Sequence, residues 1–97
     1  MVYKLQNTVT VSAGSGSQNT LPIHGICQYI YIEPTTSTTT YKVTITDDDD
    51  DTVKEFEWKQ GVFRDFTSFI VEGIYTISIT ESTANEDFTV KLLVREL

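Results

Sequence analysis

The chain has 97 residues, of which 39% are hydrophobic, 22% charged and 11% aromatic. That composition is globular, and the length allows one domain, expected over 1–97, that buries about 65% of its unfolded surface. Seven basic against fourteen acidic residues give a net charge of −7, which argues against nucleic acid and anionic membrane surfaces as partners, because both are held by Lys and Arg.

β-Branched residues dominate, with 16 Thr, 9 Ile and 9 Val against two Ala, and that bias favours strands over helices. Residues 2–12 are predicted as a first strand, Val9 and Val11 alternating with Thr8, Thr10 and Ser12. Residues 13–20, AGSGSQNT, are predicted as a loop. Pro22 limits 21–24 to an edge or a turn. Residues 26–33, ICQYIYIE, form the most apolar strand. Simple alternation places Ile26, Ile30 and Ile32 on one face, and Cys27, Tyr29 and Tyr31 on the other. A strand apolar on both faces is central or faces a partner, and Pro34 ends this one.

Residues 40–46 put Tyr41, Val43 and Ile45 inward. Residues 52–58 put Phe56 and Trp58 on one face, with Val53, Glu55 and Glu57 opposite. The aspartates between these strands, Asp47 to Asp51, mark a hairpin tip. Residues 62–71, VFRDFTSFIV, fit neither period and are predicted as two short strands joined by a bend. Residues 74–81 turn Tyr75, Ile77 and Ile79 to one face, and 82–86 are a further hairpin loop. Residues 87–95 turn Phe88, Val90, Leu92 and Val94 inward and Thr89, Lys91, Leu93 and Arg95 outward. About seven or eight short strands predict an all-β fold, a single antiparallel β-sandwich.

Five of the negative charges sit in the Asp run. The other residues carry seven positive against nine negative charges and are nearly neutral. Cys27 is the only cysteine, so no intrachain disulfide can form and a reducing compartment is expected. Met1-Val2-Tyr3-Lys4 is followed by polar Gln6, Asn7 and Thr8, with no signal-peptide core.

The stretch Gly73-Ile74-Tyr75-Thr76-Ile77, then a hairpin, then Phe88-x-Val90-x-Leu92-x-Val94, resembles the last two strands of an immunoglobulin-like sandwich. In that family a tyrosine caps a corner through its hydroxyl. Ile77 stands where antibody domains have a disulfide cysteine. The resemblance therefore implies an Ig-like or jelly-roll sandwich and no immune-receptor role. The whole chain, Thr-rich and without disulfides, also resembles the small all-β virion structural proteins of tailed bacteriophages. That resemblance implies a non-enzymatic capsid decoration or stabilising protein, made in the host cytoplasm and found in the virion. Its partners would be capsid or other virion subunits, or further copies of itself. The alternative is a small carbohydrate-binding or adhesion module of a phage tail or surface assembly.

Among candidate sites, Asp47, Asp48, Asp49, Asp50 and Asp51 offer carboxylate oxygens to Ca²⁺. They lack EF-hand spacing, and at most two or three can converge on one ion, so a solvated hairpin tip with no cofactor is the expectation. Glu55 and Glu57 have the spacing of a glycosidase carboxylate pair, but a chain this short leaves no deep cleft around them. His24 and Cys27 supply at most half a zinc site. Gly14 and Gly16 are not followed by the Lys of a phosphate loop. Trp58 and Tyr41 are assigned to the core. Tyr29 and Tyr31 share a face that a second layer, a protein partner or a glycan must cover. Val2, Leu5, Leu93 and Leu97 add apolar groups in the terminal segments, 2–12 and 87–97, which are read as edges. Together with Tyr29 and Tyr31 they are the candidate contact residues between chains.

Overall fold

The computed structural model describes residues 1–20 and 22–96. Eight strands run in chain order: β1 (Val2–Thr10), β2 (Gly16–Asn19), β3 (Ile23–Pro34), β4 (Thr40–Thr46), β5 (Thr52–Gln60), β6 (Phe63–Gly73), β7 (Thr76–Thr80) and β8 (Asp87–Arg95). The two halves of the chain pair in nested order. β4 pairs with β5, β3 with β6, β2 with β7 and β1 with β8, all antiparallel. A long hairpin folded over on itself produces this nesting. The result is two four-stranded sheets, β1-β8-β3-β6 and β2-β7-β4-β5.

That strand order is the jelly-roll sandwich rather than the immunoglobulin one. An immunoglobulin domain pairs its first two strands within one sheet, whereas β1 and β2 lie in different sheets here. β7 and β8 are likewise in different sheets, so residues 82–86 cross between layers and do not close a hairpin. The accessible surface, 5347 Å², is close to the roughly 5,600 Å² expected for a folded chain of this mass.

The core lies between the sheets. Val9, Cys27, Ile30, Ile32, Phe88, Val90, Leu92 and Val94 of the first sheet meet Tyr41, Val43, Ile45, Phe56, Ile77 and Ile79 of the second. These residues alternate in sequence because successive side chains of a strand face opposite sides. The alternation predicted for 40–46, 74–81 and 87–95 is the one observed.

Four local expectations are corrected. Residues 16–19 form β2 against β7 instead of remaining in a loop. The pairing is made by backbone groups of polar, exposed residues, which leave no hydrophobic signal. Residues 63–73 form one continuous strand, with a single register shift where Thr67 and Ser68 stand opposite Gln28. They fit neither period because Phe66 and Ile70 point out while Phe69 and Val71 point in, so both faces carry apolar groups.

In β3 the predicted faces are wrong on one side of a bulge. From Cys27 to Ile30 the strand takes three steps where β8 takes two, Val94 to Leu92. Gln28 is the extra residue against β8, and on the other side it stands opposite both Thr67 and Ser68 of β6. It reverses parity, so Cys27 joins Ile30 and Ile32 in the core and Ile26 joins Tyr29 and Tyr31 outside. In β5, Glu57 and Trp58 stand opposite Lys42 alone, between the pairs Val43–Phe56 and Tyr41–Lys59. Trp58 adopts φ 47° and is 57% exposed, so it is not a core residue. Val53, an unpaired extra residue opposite the Ile45–Thr46 step, packs on the core with Phe56.

Among the described residues no buried side-chain nitrogen or oxygen lacks a hydrogen-bond partner. The Tyr41 hydroxyl donates to the Gly61 carbonyl at 2.6 Å, and its ring meets Phe88 edge-on with centroids 5.0 Å apart. Burial pushes the Tyr41 phenol far above its ordinary range. Gly61 has φ 63°, and a Cβ there would lie 2.6 Å from the Ser37 carbonyl oxygen, so the turn after β5 requires glycine. Tyr41→Phe leaves the Gly61 carbonyl unpaired and is expected to destabilise the fold by about 1–3 kcal/mol in urea titrations.

The corner implied by Gly73-Ile74-Tyr75 is present. The Tyr75 hydroxyl accepts the Glu72 N–H at 2.9 Å, and its own N–H donates to Thr20 Oγ1 at 3.0 Å. Glu86 braces the β3–β4 connection, its carboxylate accepting from the Thr36 N–H and the Thr39 hydroxyl. The Thr36 backbone bond is the main cause holding that carboxyl below the usual carboxylate range.

Candidate functional site

The outer face of the sheet β1-β8-β3-β6 is built in rungs by the strand register. One rung runs Val2–Arg95–Ile26–Ile70, the next Lys4–Leu93–Tyr29–Phe66, and the third Gln6–Lys91–Tyr31–Arg64. Opposed residues of antiparallel strands share a face, so these side chains form one surface. Phe66 is 85% exposed and Ile70 69%. Phe66 packs on Tyr29 with ring centroids 5.1 Å apart. The ammonium of Lys91 and the guanidinium of Arg64 lie 4.9 and 5.2 Å from the Tyr31 ring centroid. The three rungs carry four of the seven cations of the chain and no carboxylate, in a protein of net charge −7.

The structure brings Tyr29, Tyr31, Val2 and Leu93 together on this face. Leu5 lies on the inner side of β1, packed against the core. Leu97 lies outside the described residues. β1 is an edge strand as expected, but β8 is flanked by β1 and β3 and is not an edge. Sequence reasoning missed Ile26, Phe66 and Ile70. An exposed Phe and Ile two turns of the pleat apart in 62–71 were the available signal, hidden by the inward Phe69 and Val71.

The other candidates separate. Cys27 faces the core, where burial pushes its thiol up, while His24 is exposed on the outer face, so the two do not converge. Glu55 and Glu57 are exposed. A groove of about 440 Å³ is lined by Tyr3, Pro22, Ile23, His24, Glu72, Gly73 and Glu96 and contains neither of these glutamates. No helix among the described residues is long and apolar enough to cross a membrane.

At the β4–β5 tip, Asp47, Asp48 and Asp49 can each present a ligand atom within 4.8 Å of the others. Asp47 also has a purely local role. Its Oδ1 accepts the N–H groups of Asp49 and Asp51, at 3.0 and 2.9 Å, closing the turn as aspartates do. Replacing Asp48, Asp49 and Asp50 by Ser is expected to leave the fold intact, and Asp47→Ala to lower the melting temperature. Melting curves with and without millimolar Ca²⁺ check the tip. A rise of many degrees in the parent that is absent in the triple variant would instead assign it a metal.

No protein-family model matches the chain, and no curated protein matches it in sequence. Solved structures are similar in fold. A chain of the cyanophage Pam1 capsid asymmetric unit is 14% identical, with TM-score 0.58, over 96% of this chain and 81% of that one. The pre-peptidase C-terminal domain of a Bacillus anthracis collagenase is 9% identical, with TM-score 0.54, over 96% and 89%. A structural-protein C-terminal domain of Sulfolobus turreted icosahedral virus has TM-score 0.48 at 15% identity, over 98% and 99%. The first two likenesses describe a shared fold, which serves proteins of unrelated activity.

Proposed function

We propose that the protein is a structural component of a virus particle, a capsid decoration or stabilising protein of a tailed phage. It would act by laying the outer face of the β1-β8-β3-β6 sheet on neighbouring protein. The observation that carries this reading is the exposed Phe66 and Ile70 beside Tyr29, Tyr31 and Leu93, ringed by cations. Contiguous exposed apolar surface of this kind marks contact sites, and aromatic and Arg side chains are enriched in them. The fold likeness to a cyanophage capsid chain supports the setting. A partner surface bearing carboxylates would complement Lys4, Arg64, Lys91 and Arg95.

The test is co-sedimentation with purified capsids, for the parent and for Phe66→Ser combined with Tyr31→Ser. The parent is expected to pellet at a fixed ratio to capsid subunits, and the variant to remain in solution. A parent that does not pellet with capsids, or a face that binds single-stranded DNA in their place, would overturn the reading.

One observation favours the second reading, a carbohydrate-binding or adhesion module. Trp58 stands exposed on the outer face of the other sheet in a left-handed conformation that costs about 1–3 kcal/mol. Lys42 Nζ lies 4.5 Å from its ring centroid, held by Glu81 at 2.6 Å. Glycan-array binding that is lost in Trp58→Ala and kept in the Phe66 variant would select this reading.

A further inference from the structure

β6 is the outermost strand of its sheet, and among the described residues β3 is its one hydrogen-bonded neighbour strand. Exposure alternates along its eleven residues, which contain no proline, and its pairing with β3 shifts register once, where Thr67 and Ser68 stand opposite Gln28. Proline and shortness, two of the devices that blunt natural sheet edges, are both absent from β6. Here the inner side has a single charge, Asp65, and the outer side reads Arg64, Phe66, Ser68, Ile70, Glu72, every one exposed. Read backwards against itself, that outer row is complementary. A cation meets a carboxylate, an aromatic ring meets a branched aliphatic, and a hydroxyl meets a hydroxyl.

We infer that two copies of the protein pair β6 against β6, antiparallel, about a two-fold axis at Ser68. Arg64 then stands opposite Glu72 of the second copy, and Phe66 opposite Ile70, each pair occurring twice. Ser68 stands opposite itself. The register is restricted by physics. Opposed residues must share a face, so a shift by one residue sets outer side chains against inner ones. A shift by two sets Phe66 against Ser68 or Glu72 and separates the charges. Asp48 adds to the match, because it lies beside Gly73 at the Glu72 end, where a Cβ on Gly73 would be 3.1 Å from Asp48 Oδ2. The Arg64 of the second copy arrives at that end.

The pairing makes one eight-stranded sheet. The rung Lys4–Leu93–Tyr29–Phe66 continues into Ile70–Ile26–Arg95–Val2 of the second copy, and the two most exposed apolar groups of that face meet across the new seam. This is strand addition to an open edge with an isologous interface. It goes beyond the virion reading and does not rest on it, since the isolated protein would form it.

The experiment is sedimentation velocity up to about 100 µM for the parent, Arg64→Glu, Glu72→Arg and the double reversal, with circular dichroism to confirm that each is folded. The parent is expected to be a dimer. Each single reversal places like charges together and is expected to weaken dimerisation by about tenfold or more, and the double reversal to restore it. Ser68→Cys is expected to give a disulfide-linked dimer on mild oxidation, while Ser17→Cys, exposed on β2, does not. A monomeric parent, a double reversal no better than the singles, or a dimer that Ser68→Cys fails to cross-link would each overturn the inference. Capsid pelleting by a folded monomeric variant would leave the virion reading standing alone.

Discussion

Cys27→Asp is expected to abolish folding, whereas Ile26→Asp is expected to be tolerated. Cys27 is fully buried among Ile30, Ile32, Val94 and the facing sheet, and burial already pushes its thiol above the ordinary range. A carboxylate at that position has no cation beside it. An uncompensated buried charge costs about 3–5 kcal/mol or more, comparable with the whole stability of a small domain, about 5–15 kcal/mol. Ile26 is only partly buried and is flanked by Arg95 across the strand pair, so a carboxylate there gains a partner. Far-ultraviolet circular dichroism and urea titration of both variants decide the matter. A folded Cys27→Asp with a collapsed Ile26→Asp would mean that β3 runs without the bulge at Gln28.

Phe88→Ala is expected to cost about 3–5 kcal/mol. Phe88 has no exposed surface and stands edge-on to Tyr41, so its ring joins the two sheets. Its removal takes away the transfer free energy of the ring and leaves a cavity that rigid strands on both sides cannot close. Phe66→Ala deletes the same ring from a site that is 85% exposed, and a change within about 0.5 kcal/mol is expected for the monomer, at concentrations too low for two copies to pair. Urea midpoints with an unchanged slope measure both. Equal losses would contradict the assignment of Phe66 to the outer face.

Sequence period decided which residues of β4, β7 and β8 face the core, because alternation is a property of the pleat and needs no knowledge of neighbours. Tyr41, Val43 and Ile45, then Ile77 and Ile79, then Phe88, Val90, Leu92 and Val94 were legible for that reason. So were the Asp47–Asp51 tip and the corner at Tyr75, both made by residues close in the chain. The pairing order was not legible. β1 meets β8 across almost the full length of the chain, and β2 meets β7 through backbone groups that any residue supplies. The nested order that separates a jelly roll from an immunoglobulin sandwich therefore appears only once the strands are assembled.

The outer face shows the same division at the scale of single residues. Tyr29, Tyr31, Val2 and Leu93 stood out in the sequence as apolar groups the core did not need. Ile26 was hidden by one extra residue, Gln28, since a bulge has no composition of its own and yet reverses the face of every side chain before it. Trp58 was drawn to the core by its hydrophobicity and turned out by a second bulge. Phe66 and Ile70 were masked because β6 is apolar on both sides. Hydrophobicity records how much surface a residue would gain by burial, whereas the direction in which it points is fixed by backbone register, and register belongs to pairs of strands distant in the chain.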